Sequence, residues 1–281
     1  MRIFLTGHKG QLGRALHQAF AEHDLALADL PEADITDAEA TAGAIADFRP
    51  DLVLHAAAYT DTAGCQRDPD LAYRVNAVGT RNVALGCQRA GAAMLFVSTN
   101  EVFDGRKSEP YLEWEPVGPL SVYARSKQAG EWYIQSLLDR YYIVRIAWLY
   151  GGGPSSFVTK TLEWARASRQ IRVVTDEVAT PTYVPDLVAG IVALVRHPVY
   201  GVYHLTNAGA CSRFDWARRI LALAGRNDVA VEPAAMADFP SAVPKPAYSV
   251  LRNFCGAELC ITLRPWEEGL EEYFRGQRAG S

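Results

Sequence analysis

The sequence is poor in lysine. Of its 28 basic residues only five are lysines: Lys9, Lys107, Lys127, Lys160 and Lys245. With a net charge of −4 and no basic run, it lacks the footprint of a nucleic-acid binder, and no nucleic-acid partner is expected. It lacks any apolar stretch near the ~18 residues of a membrane-spanning helix, so no membrane partner is expected either. No leader pattern precedes the first strand signal, which points to a cytoplasmic setting. Cysteine is sparse. Cys65, Cys87, Cys211, Cys255 and Cys260 include no Cys-x-x-Cys pair, so neither a zinc site nor a disulfide framework is indicated. They read as small buried hydrophobes of a reducing compartment. What remains is an ordinary globular composition, 49% hydrophobic over 281 residues. That length accommodates one large domain or two smaller ones.

What the chain does have is alternation. Short apolar runs at Arg2–Thr6, Leu25–Ala28, Asp51–Ala57, Met94–Ser98 and Tyr142–Trp148 read as strands. Helical patterns at Gln11–His23, Thr41–Phe48, Leu71–Gly91 and Tyr123–Leu138 separate them. Runs apolar on both faces with helices between imply a doubly wound α/β fold with a parallel sheet. After Tyr150 the pattern changes. Gly151–Pro154 is a flexible break, and helices are expected at Phe157–Ser168, Pro185–Val195, Phe214–Ala224 and Pro265–Phe274. Strands are expected at Ile171–Thr175 and Val202–Thr206, a Pro/Ala-rich stretch runs from Val231 to Pro246, and Gly276–Ser281 reads as a frayed end.

The first strand runs into Gly7-x-x-Gly10-x-x-Gly13, with Lys9, Gln11 and Leu12 inside the loop. Glycine at these places permits a tight turn, close approach of a pyrophosphate, and close helix–strand packing. Asp29 ends the second strand 22 residues after Gly7, where a carboxylate holds an adenosine ribose hydroxyl. It also fits a solvated strand end. No arginine follows in Leu30–Ala33, which favours NADH over NADPH, although Lys9 stands where it could reach a 2′-phosphate. Asp34 and Ile35 either line an adenine pocket or cap the next helix.

Tyr123 and Lys127 stand at i and i+4, on one face of a helix. With 13 tyrosines and five lysines, chance supplies ~0.2 such pairs, so the scarcity of lysine makes this one informative. A phenol beside a cation is suited to giving a proton to a carbonyl oxygen. The same spacing also fits an ordinary surface pair. Ser98 and Thr99 close the preceding strand, at the edge where ligands bind in this architecture. A hydroxyl there can hold a substrate oxygen beside Tyr123.

Together these residues resemble the extended short-chain dehydrogenase/reductases, and within them the reductases of nucleotide-linked 4-keto-6-deoxyhexoses. The likeness spans essentially the whole chain, through FLTGHKGQLGRAL, HAAAYTD, VNAVGTRNVA, VSTNEVFDG, PYLEWEPVGPLSVYARSK, RIAWLYG, GVYHLTNAG, KPAYSVL and PWEEGLEEYF. The resemblance implies a Rossmann-type dinucleotide-binding domain over 1–150, with 178–208 returning to it. A smaller C-terminal α+β substrate domain would be built from 151–177 and 209–281. It implies hydride transfer from NADH or NADPH to the 4-keto carbon of the sugar, with dTDP-4-dehydro-L-rhamnose the expected substrate. Thr99, Tyr123 and Lys127 match the family's catalytic trio. Ala56, Ala57, Ala58, Tyr59, Asn76, Ser98 and Lys127 match its cofactor side. Trp148 matches a residue packing against the sugar, and Thr60, Asn100, Glu101 and Phe157 fall with it in the substrate pocket. A homodimer is compatible with the family.

Two departures touch that pocket. The family usually reads S-T-D-Y-V-F-D-G where this chain has Ser98-Thr99-Asn100-Glu101-Val102-Phe103-Asp104-Gly105, which puts Glu101 in place of a tyrosine. Its A-Y-T-A-V-D is here Ala58-Tyr59-Thr60-Asp61-Thr62-Ala63. Some members bind magnesium through a glutamate after the glycine loop; the matching residue is Ala15, so no metal is expected. Glu101 raises a rival, since 4,6-dehydratases of this scaffold carry Thr-Asp-Glu. Asn100 replaces their acid, and an amide cannot donate and recover a proton as a carboxylic acid does. An epimerase that recycles bound NAD also fits this scaffold, as does a non-catalytic NADP-binding regulatory subunit. Arg166, Arg169 and Arg172 either contact a nucleotide diphosphate or form a solvated face.

Overall fold

The computed structural model describes residues 1–153, 155–239 and 241–279. The break expected at Gly151–Pro154, the Pro/Ala-rich stretch and the frayed end therefore fall partly on Pro154, Pro240, Gly280 and Ser281, outside the described residues. The first half runs β1 (Arg2–Thr6), α1 (Gln11–Ala19), β2 (Asp24–Ala28), α2 (Ala38–Phe48), β3 (Leu52–His55), α3 (Thr62–Arg67), α4 (Pro69–Tyr73), α5 (Thr80–Ala90), β4 (Ala93–Thr99), α6 (Val122–Leu137) and β5 (Tyr141–Ile146). The second half runs β6 (Leu149–Tyr150), α7 (Phe157–Ala167), β7 (Gln170–Val174), β8 (Val178–Ala179), β9 (Thr182–Tyr183), α8 (Val184–Leu194), β10 (Gly201–His204), β11 (Cys211–Ser212), α9 (Arg213–Leu223), β12 (Ala230–Ala234) and α10 (Trp266–Ala279).

Six strands form one sheet in the order β10-β5-β4-β3-β1-β2, and every pairing is parallel. Alternate residues of each strand serve opposite faces. Ile3, Leu5, Leu52, Leu54, Leu95 and Val144 pack with α1 and α8 on one side. Phe4, Val53, Met94, Phe96 and Ile143 pack with α2, α5 and α6 on the other. Both faces are covered, which is why the strands read as unbroken apolar runs. The strand order reverses between β1 and β3, and a doubly wound sheet opens its ligand crevice at that point. His55 ties the crevice floor together. Its Nδ1 lies 2.6 Å from Thr6 Oγ1 and its Nε2 3.0 Å from Thr80 Oγ1, and burial takes its pKa down to about 3.

Several elements differ from the expectations of periodicity. The helix expected over Leu71–Gly91 contains a π-helical segment at Arg74–Gly79 between α4 and α5. Asn76 lies in it, with its side chain bonded to the backbone of Tyr59 and to Ser126. The strand β12 lies within the Pro/Ala-rich stretch and pairs in parallel with β7. Its Pro233 hid it from propensity, but a strand with an unpaired side tolerates proline. Around these strands α7 and α9 bury Ala165, Ile171, Val173, Ala217, Leu221 and Val229 in a cluster of their own. The last helix runs to Ala279, past the fraying expected from Gly276.

Candidate active site

The glycine loop is shaped by close backbone contact. Gly7 has φ +72°, and a Cβ there would stand 2.5 Å from the Ala57 nitrogen. A Cβ on Gly13 would stand 1.9 Å from the Gly7 carbonyl oxygen. Gly10 caps α1 with no side-chain acceptor, so the first N–H groups of the helix face the cleft. Gln11 Nε2 is buried there without a partner among the described residues. This cradle fits a pyrophosphate at a helix N-terminus. Gly13→Ala is expected to destabilise the fold by about 1–3 kcal/mol, since the neighbouring atoms are backbone and cannot swing aside. A thermal melt of the variant that overlays that of the parent protein would refute this.

At the end of β2, Asp29 accepts the Lys9 N–H at 2.7 Å and the Leu30 N–H at 2.8 Å. Asp34 accepts the Thr36 N–H at 2.9 Å and closes a turn, while Asp37 takes the N-cap of α2. Ile35 is buried, with its carbonyl accepting from Asn82. Asn76 reaches the cleft only indirectly. It accepts from the Tyr59 N–H at 2.8 Å and donates to the Tyr59 carbonyl at 3.0 Å and Ser126 Oγ at 2.9 Å, pinning the segment after β3.

The cleft itself encloses about 400 Å³ over the carboxyl ends of the central strands. It brings together Gly10, Gln11, Leu12 and Gly13 from the loop, and Ala56, Ala58 and Thr60 beyond β3. Ser98, Thr99, Asn100 and Glu101 enter from the end of β4, Tyr123 and Lys127 from α6, and Trp148 from beyond β5. Ser121 starts α6 by accepting the Ala124 N–H at 3.1 Å, which sets Tyr123 in the first turn and Lys127 one turn on.

The polar partners differentiate them. Thr99 Oγ1 accepts the Glu101 N–H at 3.2 Å. Asn100 Nδ2 donates to Ser249 Oγ at 2.6 Å, so its amide anchors a distant segment. Ser98 Oγ turns to Glu131. Lys127 Nζ donates to the Val97 carbonyl at 2.7 Å and lies 3.9 Å from the centre of the Phe96 ring. Burial brings the Lys127 pKa down to about 7, against the pull of the Glu131 carboxylate. Burial and the Glu101 charge push the Tyr123 phenol above its ordinary value, opposed by a hydrogen bond with Thr99. Burial, joined by the Glu177 charge, likewise raises Glu101, with Lys245 and Arg213 pulling it back. Glu101 Oε2 has no partner among the described residues.

A larger cavity, about 1270 Å³, adjoins on the second-half side, and of the residues expected at the site Phe157 and Arg172 line it. Its border with the cleft is a stack of rings. Trp148 lies parallel to Trp216 at 5.5 Å, Phe157 stacks on Trp216 at 4.9 Å, and the Arg213 guanidinium stands 3.6 Å over Trp148. Glu177 holds Arg213 at 2.9 Å. Phe157 faces this cavity and is absent from the lining of the smaller cleft. Lys160, Arg172 and Lys245 also line it. Arg172 pairs with Asp238 at 2.7 Å, whereas Arg169 pairs at the surface with Asp228. No periodicity marks Arg213 or Lys245; the only sequence signal is the KPAYSVL segment containing Lys245.

The profile of the RmlD substrate binding domain family matches residues 1–278. A dTDP-4-dehydrorhamnose reductase of Mycobacterium tuberculosis (strain ATCC 25618 / H37Rv) is 37% identical over 278 residues, 96% of this chain and 91% of the relative. The crystal structure of a dTDP-4-dehydrorhamnose reductase from Clostridium acetobutylicum superposes with a TM-score of 0.95 at 36% identity, covering 99% of this chain and 100% of that one. The Bacillus anthracis dTDP-4-dehydrorhamnose reductase in complex with NADP superposes with a TM-score of 0.94 at 36% identity, covering 98% and 99%.

Proposed function

The chain belongs to the RmlD substrate binding domain family, and from that premise we propose that it reduces the 4-keto group of a nucleotide-linked 6-deoxyhexose with NADH or NADPH, turning dTDP-4-dehydro-L-rhamnose into dTDP-L-rhamnose. One observation carries the reading: Thr99, Tyr123 and Lys127 share a cleft with the glycine cradle. When bound, the dihydronicotinamide supplies the hydride that adds to C4 of the sugar. Thr99 and Tyr123 hold the keto oxygen between their hydroxyls, and Tyr123 gives it a proton. Tyr123 stays a neutral acid through the neutral range because burial raises its pKa. Lys127, one turn further along α6, would hold the ribose and as a cation favour the phenolate that forms. Placement of the reactants contributes much of the acceleration.

The adjoining cavity suits the nucleotide diphosphate, because Lys160, Arg172, Arg213 and Lys245 supply cations and Phe157, Trp164 and Phe239 supply flat apolar faces. We assign 1–150 and 178–208 to cofactor binding, and 151–177 and 209–281 to the sugar nucleotide. The separate cluster under α7 and α9 supports that division. No helix among the described residues is long and apolar enough to cross a membrane. We place the enzyme in the cytoplasm as a homodimer, a pairing that would cover Trp132, 57% exposed on α6. The test is NADH or NADPH oxidation with dTDP-4-dehydro-6-deoxy-L-mannose and product analysis. Stoichiometric coenzyme loss and a 4-hydroxy product are expected. Isomerised sugar without net coenzyme loss would assign an epimerase instead.

A further inference from the structure

The glycine loop carries a lysine whose side-chain nitrogen is engaged by the residues just after β2. Lys9 Nζ lies 2.5 Å from Glu32 Oε2 and 2.6 Å from the Leu30 carbonyl oxygen. Its backbone N–H is held by Asp29, and its carbonyl accepts from Arg14. The second guanidinium nitrogen of Arg14 donates to the Gly152 carbonyl at 3.0 Å, so that cation too is engaged. The Lys9 contact holds the Glu32 carboxyl below the usual carboxylate range. Asp29 stands beside it with one N–H on each carboxylate oxygen. Each oxygen retains a lone pair for a hydroxyl donor.

We propose that Glu32 is a specificity-determining residue, which holds Lys9 off the 2′-position of the adenosine ribose and so makes the cleft prefer NADH to NADPH. The inference rests on the dinucleotide reading of the cleft given above. A 2′-hydroxyl can donate to Asp29. A 2′-phosphate carries nearly two negative charges and would meet two carboxylates, of which the Lys9 ammonium offsets only one. With Glu32 neutral, the same ammonium is free to turn toward the phosphate. The pair is exposed, 47% for Lys9 and 70% for Glu32, so the effect is modest and weakens as salt rises.

The experiment is titration of the purified protein with NADH and NADPH by ligand fluorescence, without sugar substrate. The parent protein should bind NADH more tightly. Glu32→Gln should tighten NADPH roughly fivefold, the scale of one exposed ion pair, and leave NADH within about twofold. Adding Lys9→Ala to Glu32→Gln should erase that gain. A parent protein that prefers NADPH, an unchanged ratio in Glu32→Gln, or an equal gain without Lys9 would overturn the inference while leaving the dinucleotide reading intact. Failure of both coenzymes to bind would overturn that reading and this inference together.

Discussion

Tyr123→Phe is expected to lower kcat about 10²- to 10⁴-fold, the range for loss of a positioned general acid. The substitution removes one oxygen and keeps the ring, so packing against Cys65 and Val122 is preserved. Coenzyme binding should stay within about twofold, because the pyrophosphate cradle is built from backbone of Gly10–Gly13 and not from α6. The loss should not be rescued by raising pH. The phenol is already held above its ordinary value by burial and by Glu101, so the parent protein works as a neutral donor. Glu101 is a carboxylic acid placed nearby, with burial also raising its pKa. If it substitutes for Tyr123, the residual rate of the variant will fall as pH rises and Glu101 ionises. Steady-state kinetics with the keto sugar, beside a coenzyme titration, decide the matter. A kcat within tenfold of the parent protein would remove Tyr123 from the proposed role.

The sheet was legible because β1, β3, β4 and β5 are buried on both faces, the edge strand β2 still reads apolar, and each helix between them carries one apolar face. Periodicity reports that directly. The short strands β6, β8, β9 and β11 were not legible. Two residues form no pattern, and their pairing partners are remote, as Cys211 is from Ala179. The glycine spacing and the Tyr123–Lys127 pair were legible because their geometry is local, one turn of loop and one turn of helix. Arg213 was not. Its place over Trp148 arises from the packing of α9 against the chain beyond β5, which no local spacing encodes. Ser98 shows the limit from the other side. Its position at the strand end places it in the cleft lining, and strand alternation turns its hydroxyl toward Glu131, a partner no local spacing encodes.

That contact leads to the largest expected effect on stability. Glu131 follows Lys127 by one turn of α6 and meets Arg145 of β5 in a bidentate pair, Nε to Oε1 at 3.0 Å and Nη2 to Oε2 at 2.7 Å. The two side chains are only 4% and 5% exposed. A buried pair of this kind is no proof of net stabilisation, but removing one partner leaves the other charged and dry. Glu131→Leu should therefore cost roughly 3–5 kcal/mol. In a chain of this size the melting midpoint should fall by on the order of 10 °C. The companion replacement Arg145→Leu should recover much of that loss in the double variant, because no isolated charge remains. Activity should respond differently. Glu131 is the group that raises the Lys127 pKa against burial, and the balance stands at about 7. Without that carboxylate the ammonium loses its proton at lower pH, so the alkaline limb of kcat/KM should move toward acid. The double variant should keep that shift even as its stability returns. Stability restored together with an unmoved pH limb would confine the pair to a packing role. Stability unchanged in Glu131→Leu itself would show that Arg145 finds another partner.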